Sequence, residues 1–260
     1  MVPMLGQAPL DHIKSVSIVE KVKRVLICLG FYTLADPLEQ EYESDSEQFQ
    51  EDFRKILNQR DSVLQEFKVR CDQQDSNVID FLSNQPKIPT EKVTLEVADS
   101  RQAMQIFPVL DVGPLKSIDL KLKNDSQLWD DQRLIQVWRD KEGLEMEIIL
   151  EELIKENMEY LKKILTNSRI FRKISIYFEK IDLGQFNKLF GQPSEILENS
   201  EIRKSWISRE ENLRIHRDLL RNRIQFSREP VEQRRVSALE VLSNSTILGN
   251  VAKFLNGIDL

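Results

Sequence analysis

Two cysteines and two histidines are all that this 260-residue chain offers to thiol, imidazole or soft-metal chemistry. Cys28 and Cys71 are too few for a disulfide framework. Both sit in apolar stretches, so they read as half-buried core thiols in a reducing compartment. His12 and His216 lie far from each other and from both cysteines, which speaks against a zinc site. There is no Walker A loop, no GxSxG, no HExxH, no CxxC and no EF-hand loop, and no cofactor is expected. Glycine (8) and proline (9) are also scarce, whereas a sandwich or barrel needs many turns. Long apolar runs are missing too. The longest, Val25 to Phe31, falls far short of the roughly 20 residues that cross a bilayer as a helix. Asp11, His12 and Lys14 interrupt the N-terminal stretch, so no signal-peptide core is read there. These absences point to a cytoplasmic protein with no membrane partner.

What is present is charge and enough apolar residue to pack a core. Charged residues make up 31% and apolar ones 40%, with 12 Phe and 3 Trp. This mixture predicts a mainly α fold: two helical bundle parts, 1–85 and 126–260, joined by a Pro-rich connector, 86–125, with a short antiparallel β element. Ile18, Val19, Val22, Val25, Leu26 and Leu29 recur at helical spacing and predict a first helix from about Leu10 to Leu34, ended by Asp36-Pro37. From Asp36 to Asp52 eight acids occur without a base. Phe49, Phe53, Ile56, Leu57, Leu64, Phe67 and Cys71 form a stripe that predicts a second helix over roughly Asp45–Leu82. In the connector, Val93, Leu95 and Val97 alternate with polar residues, as do Ile118, Leu120 and Leu122, which predicts two short strands paired as a hairpin.

Helical spacing resumes beyond Ser126 with Leu128, Ile135 and Trp138, and continues over Leu144–Thr166. Leu144, Met146, Ile148 and Leu150 also alternate, which leaves helix and strand open at 144–150. Further helices are expected over Ile170–Ile181, over Ser200–Phe226, where Trp206, Leu213 and Leu220 recur every seven residues, and over Val231–Leu242 and Thr246–Leu255. Gly184–Pro193 reads as a connector. No internal repeat of solenoid length is read.

Charge is segregated. Between Arg203 and Arg235 there are ten cations and five acids, a local charge of +5 against −11 for the rest of the chain. Nine of the ten cations are Arg, whose planar fork suits phosphate or carboxylate. This window offers two alternatives: a solvated face whose arginines pair with acids of the same chain, or a surface for RNA, DNA or an acidic protein patch. Candidate contacts are Arg214, Arg217, Arg221, Asn222, Arg223 and Arg228. Arg209 and His216 are seven apart, two turns along one helical face. Such a pair can cleave RNA without metal, His taking the 2′-OH proton and Arg steadying the phosphate.

The string Leu220-Arg221-Asn222-Arg223-Ile224-Gln225-Phe226, with the turn at Glu229-Pro230, resembles the signature region of HEPN domains. These are helical bundles, many of them metal-independent ribonucleases of defence and toxin systems. Arg221, Asn222 and Ile224 match the Arg-Asn-x-Ile-x-His pattern. Phe226 stands where that family has its histidine, and it cannot transfer a proton. The resemblance thus implies a degenerate HEPN-type domain over about 110 residues. The functional expectation is a non-catalytic interaction or adaptor protein, a subunit of a larger assembly, with a protein partner or a second copy of itself on the 203–235 face. A HEPN-type endoribonuclease or RNA-binding module is the alternative.

Overall fold

A computed structural model of the chain describes residues 12–21, 24–31, 36–43, 46–59, 62–74, 76–123, 138, 141–206 and 211–230. The elements run β1 (Ile13–Lys21), β2 (Arg24–Phe31), β3 (Leu38–Glu43), α1 (Glu47–Gln59), β4 (Leu64–Cys71), α2 (Asn77–Ser83), β5 (Ile88–Val97), α3 (Ser100–Ile106), a 3-10 turn (Phe107–Val109), β6 (Leu110–Asp111), β7 (Ser117–Leu122), β8 (Leu144–Leu153), α4 (Lys155–Asn167), β9 (Phe171–Ile181), α5 (Leu183–Phe190), β10 (Glu195–Leu197), β11 (Ser200–Trp206), β12 (Glu211–Asp218) and β13 (Arg223–Pro230). One mixed sheet has the order β10-β11-β12-β13-β9-β8-β7-β5-β4-β1-β2-β3, with β6 beside the start of β5.

Its centre is parallel. β1, β4, β5, β7, β8 and β9 are neighbours in chain order, and every adjacent pair is parallel. From β4 to β9 the strands begin at 64, 88, 117, 144 and 171, steps of 24, 29, 27 and 27 residues. Parallel crossovers share one hand, so an order that never reverses puts every returning helix on the same face. Burial agrees with this. Val16, Phe67, Val93, Ile118, Met146 and Ile174 form one row across the sheet; Ile18, Val69, Leu95, Leu120, Ile148 and Ile176 form the next. All twelve are at most 2% exposed. The alternate positions on the same strands stay mostly half-exposed or exposed. The chain is therefore wound as a βα solenoid, in which each turn contacts its neighbours and the two ends need finishing. At one end β2 and β3 fold back as antiparallel strands; at the other, β13 to β10 do so.

This overturns the mainly α expectation and the helical bundle. The helix expected over Leu10–Leu34 is the β1–β2 hairpin, and that over Asp45–Leu82 is α1, β4 and α2. Leu64, Phe67 and Cys71 continue the helical spacing of α1 only because β4 enters the core with two apolar residues three apart. The strands at Val93–Val97 and Ile118–Leu122 do form, but they are parallel neighbours joined through α3, not a hairpin. The open choice at 144–150 falls to strand, and the helix follows at α4. Ile170–Ile181 is β9, the Gly184–Pro193 connector contains most of α5, and Ser200–Phe226 is β11, β12 and part of β13. A repeat is present after all. An apolar residue, two others, then three alternating core positions recur at Leu64/Phe67/Val69/Cys71, Leu115/Ile118/Leu120/Leu122 and Phe171/Ile174/Ile176/Phe178, all buried. Ile13/Val16/Ile18/Glu20 follows the same spacing, with a carboxylate in its last place. The sheet runs on across residues 86 and 125. The segments expected to be helical over Val231–Leu242 and Thr246–Leu255 lie outside the described residues, as does most of the helix expected around Leu128 and Ile135.

The helix layer is fixed to the sheet by aromatic packing and by caps. Phe49 and Phe53 of α1 meet Phe81 of α2 with ring centroids 5.3 and 5.8 Å apart. Trp138, fully buried, stands 4.6 Å from Phe107 and 6.2 Å from Phe171. Ser76, Asp99 and Asp182 cap α2, α3 and α5 by accepting bonds from the backbone N–H of Ile79, Gln102 and Gln185.

Candidate functional site

The face of the sheet opposite the helices carries no layer among the described residues. Strand register arranges its side chains in rows. One row reads Cys28, Ser17, Lys68, Thr94, Asp119, Glu147, Ser175, Gln225, His216, Ile202. The next reads Leu26, Val19, Arg70, Glu96, Lys121, Ile149, Tyr177, Arg223, Asp218, Ser200. Opposite charges face each other across strands. Lys92 reaches Asp119 at 2.7 Å and Glu66 at 3.8 Å; Glu96 lies 3.8 Å from Lys68 and 3.5 Å from Arg70. Its bond to Asp119, outweighing partial burial, holds the Lys92 ammonium above its ordinary pKa. Glu66–Lys92 and Arg70–Glu96 sit at directly opposed positions and the other two pairs are diagonal, and opposite charges so placed add to sheet stability.

Over its described residues the Arg-rich segment is strand and turn, not helix, so it divides between the two faces. Arg203 points to the helix side and is 2% exposed. Its Nε donates to the Gly191 carbonyl (2.9 Å), its Nη2 to Asn187 Oδ1 (2.8 Å), and Glu201 pairs with it at 3.1 Å. Its guanidinium also lies 4.9 Å from the Phe186 ring centroid, so it clamps α5 to β11. Burial pulls the Arg203 pKa down, while Glu201 opposes that. Arg217 reaches the same Glu201 at 3.2 Å. Arg228 donates to the carbonyls of Phe171 (3.1 Å), Leu165 (2.6 Å) and Ser168, closing the end of α4. On the open face, Arg214 pairs with Glu229 at 2.9 Å and Arg223 with Asp218 at 3.7 Å.

The expected catalytic pair does not come together as a site. Arg209 lies outside the described residues. His216 is half-buried on the open face, between Gln225 and Ile202 on the neighbouring strands. Arg221 and Asn222 belong to the turn between β12 and β13, where Asp218 Oδ1 accepts from the N–H of Leu220 and Arg221, each at 3.1 Å. Asn222 has φ +47°, the left-handed conformation that Asn tolerates better than most residues. Ile224 and Phe226 are fully buried. The residues that carry the HEPN resemblance thus form a β-turn and a strand, not the end of a helical bundle.

One polar cluster escaped the sequence reading. Glu20, 4% exposed, occupies a core position of β1. Its Oε2 accepts from Ser76 Oγ and from Cys71 Sγ, the latter at 2.9 Å. Burial, then the Glu20 hydrogen bond, pushes the Cys71 thiol up to about 12, so it stays a neutral donor. The cluster ties β1 and β4 to the cap of α2. Cys28 is half-buried on the open face, its thiol raised by burial and by Glu39. Among the described residues no three His, Cys, Asp or Glu gather as metal ligands. A groove of about 730 Å³ between α1 and α2 is lined by carboxamides, Arg54 and Phe81, without a nucleophile–base pair. No described helix is long and apolar enough to cross a membrane. Comparison with protein-family models, with curated proteins and with solved structures finds no match to this chain.

Proposed function

We propose that this protein is a non-catalytic recognition scaffold that holds a protein partner against the open face of its sheet, in the cytoplasm. The observation that carries this reading is the uncovered face itself: about half the side chains of twelve joined strands, without a covering layer among the described residues. Solenoids commonly bind partners on an extended surface of this kind. Cross-strand ion pairs hold its side chains in place, which lowers the entropy lost on docking. The charge argues for protein over RNA. Arg203, Arg217 and Arg228 are engaged on the helix side, and Arg214 and Arg223 are paired with acids. A phosphate backbone would need free cations.

A photo-crosslinking amino acid placed at Thr94 or Gln225 on the open face, or at Glu159 on α4, tests the reading in cells. Adducts with protein from the first two positions and none from the third are expected. Adducts confined to Glu159 would overturn it, and RNA adducts from Gln225 would restore the RNA-binding alternative.

A further inference from the structure

We infer that the recognition face centres on Ile149 and Tyr177 and takes a cationic protein segment that presents one large apolar side chain. This deepens the proposed function and rests on it. Large apolar side chains are rare on the open face. Among the side chains whose burial is described, Ile149, 45% exposed, and Leu197 at the far edge strand are the large apolar ones exposed there. Ile149 sits in register with Tyr177, and Tyr177 with Arg223. The Arg223 guanidinium lies 6.0 Å from the Tyr177 ring centroid and is held in turn by Asp218 at 3.7 Å. An aliphatic, an aromatic and an arginine side chain therefore stand side by side on three consecutive strands. Protein interfaces concentrate their binding energy on Tyr and Arg anchors ringed by polar groups.

Two buried polar atoms flank this group without a partner among the described residues: the Ser175 hydroxyl, on a residue 1% exposed, and Arg223 Nε. The surrounding ring decides the partner's charge. Asp119, Glu147, Glu151 and Glu179 lie on the open-face positions nearest Ile149 and Tyr177, against two cations, Lys121 and the Arg223 that Asp218 holds. Lys92 engages Asp119 and Lys180 reaches Glu151 at 3.5 Å, while Glu147 and Glu179 point outward exposed. An apolar centre inside an acidic ring complements a segment with lysine or arginine on either side of a Leu, Phe or similar side chain.

The test is selection of an mRNA-displayed library of random 12-residue peptides on the immobilised full chain. The enriched pool is expected to combine Lys or Arg with a large apolar residue. Its affinity should fall about tenfold or more in Ile149→Asp and in Tyr177→Ala. In Glu147→Lys with Glu179→Lys, selection should turn toward acidic peptides. Enriched peptides without basic residues, or undiminished binding by Ile149→Asp, would overturn the inference. If that binding is lost instead on Lys92→Glu or Arg214→Glu, the recognition face survives and only its centre moves. If nothing enriches, or binding maps to α4 through Glu159→Lys, the proposed function falls with it.

Discussion

Along β5, neighbouring residues enter different surroundings. Val93, Leu95 and Val97 are fully buried beneath the helices, while Lys92, Thr94 and Glu96 lie half-exposed on the other side and pair with charges of β4 and β7. The same division runs through β4, β7, β8 and β9. The covered face is dense, apolar and continuous from turn to turn, so a change there is felt by the neighbouring turns. The open face is polar and its contacts are pairwise, so a change there stays local. On the proposed function, stability belongs to one side of the sheet and recognition to the other. Mutations should separate the two.

The sharpest separation is expected at Ile148, fully buried in the row between Leu120 and Ile176. Ile148→Ala should cost about 3 kcal/mol, as large-to-small changes in packed cores do. A lower urea midpoint measures it, and an unchanged midpoint would mean that the two faces are not divided in this way. Arg203 comes next. It is a charged residue on the covered face, engaged by Gly191, Asn187 and Glu201. Arg203→Ala leaves those part-buried acceptors without their donor, although Arg217 still serves Glu201. The expected loss is about 2 kcal/mol, read by thermal melting. A neutral result would show that α5 does not depend on its clamp.

This division also explains what could be read in the sequence. The alternation of Val93/Leu95/Val97 and Ile118/Leu120/Leu122 was legible because polar residues stand between them. In β1 and β2 it was not, because Val19 and Leu26 sit on the open face and complete a helical spacing with Ile18, Val25 and Leu29. Tyr177 blurs β9 in the same way. The seven-residue spacing of Trp206, Leu213 and Leu220 joins two strands and a turn, not one helix. The Arg-rich segment was visible as a cluster, but its sorting onto two faces depends on strand parity, which a helical reading reverses. Ile149 and Tyr177 carried no signal of their own. Each looks like an ordinary core residue until register places it on the uncovered side.

A third contrast lies between the two thiols. Cys71, within the covered face, has its pKa raised from 9.0 to about 12. The unfolded chain gives up this proton near the ordinary value and the folded one does not. Stability from this group is therefore complete below about pH 9 and is lost as pH rises toward 12. Near pH 10 the loss should be about 1 kcal/mol. The difference in pH slope between the wild type and Cys71→Ala isolates it from other titrating groups. Equal slopes would show that Cys71 ionises freely in the folded state. In the native protein at pH 8, Cys28 should react with iodoacetamide while Cys71 remains unmodified, a result that peptide mass spectrometry reads directly.

The smallest effect is expected where contacts look most numerous. Lys92 faces both Asp119 and Glu66 on the open face, yet its side chain is 42% exposed and those of its partners 32% and 42%. Water screens such pairs, and ordering the long lysine chain offsets much of the attraction. Lys92→Ala should therefore lower stability by about 0.5 kcal/mol or less, and 1 M salt should erase even that. Its consequence for binding should be larger than for folding, because removing Lys92 frees Asp119 and makes the ring around Ile149 more acidic. A cationic peptide should then bind more tightly to Lys92→Ala than to the wild type at low salt. If instead the variant unfolds as readily as Ile148→Ala, the ion pairs of the open face carry structural weight, and the assignment of stability to one face and recognition to the other fails.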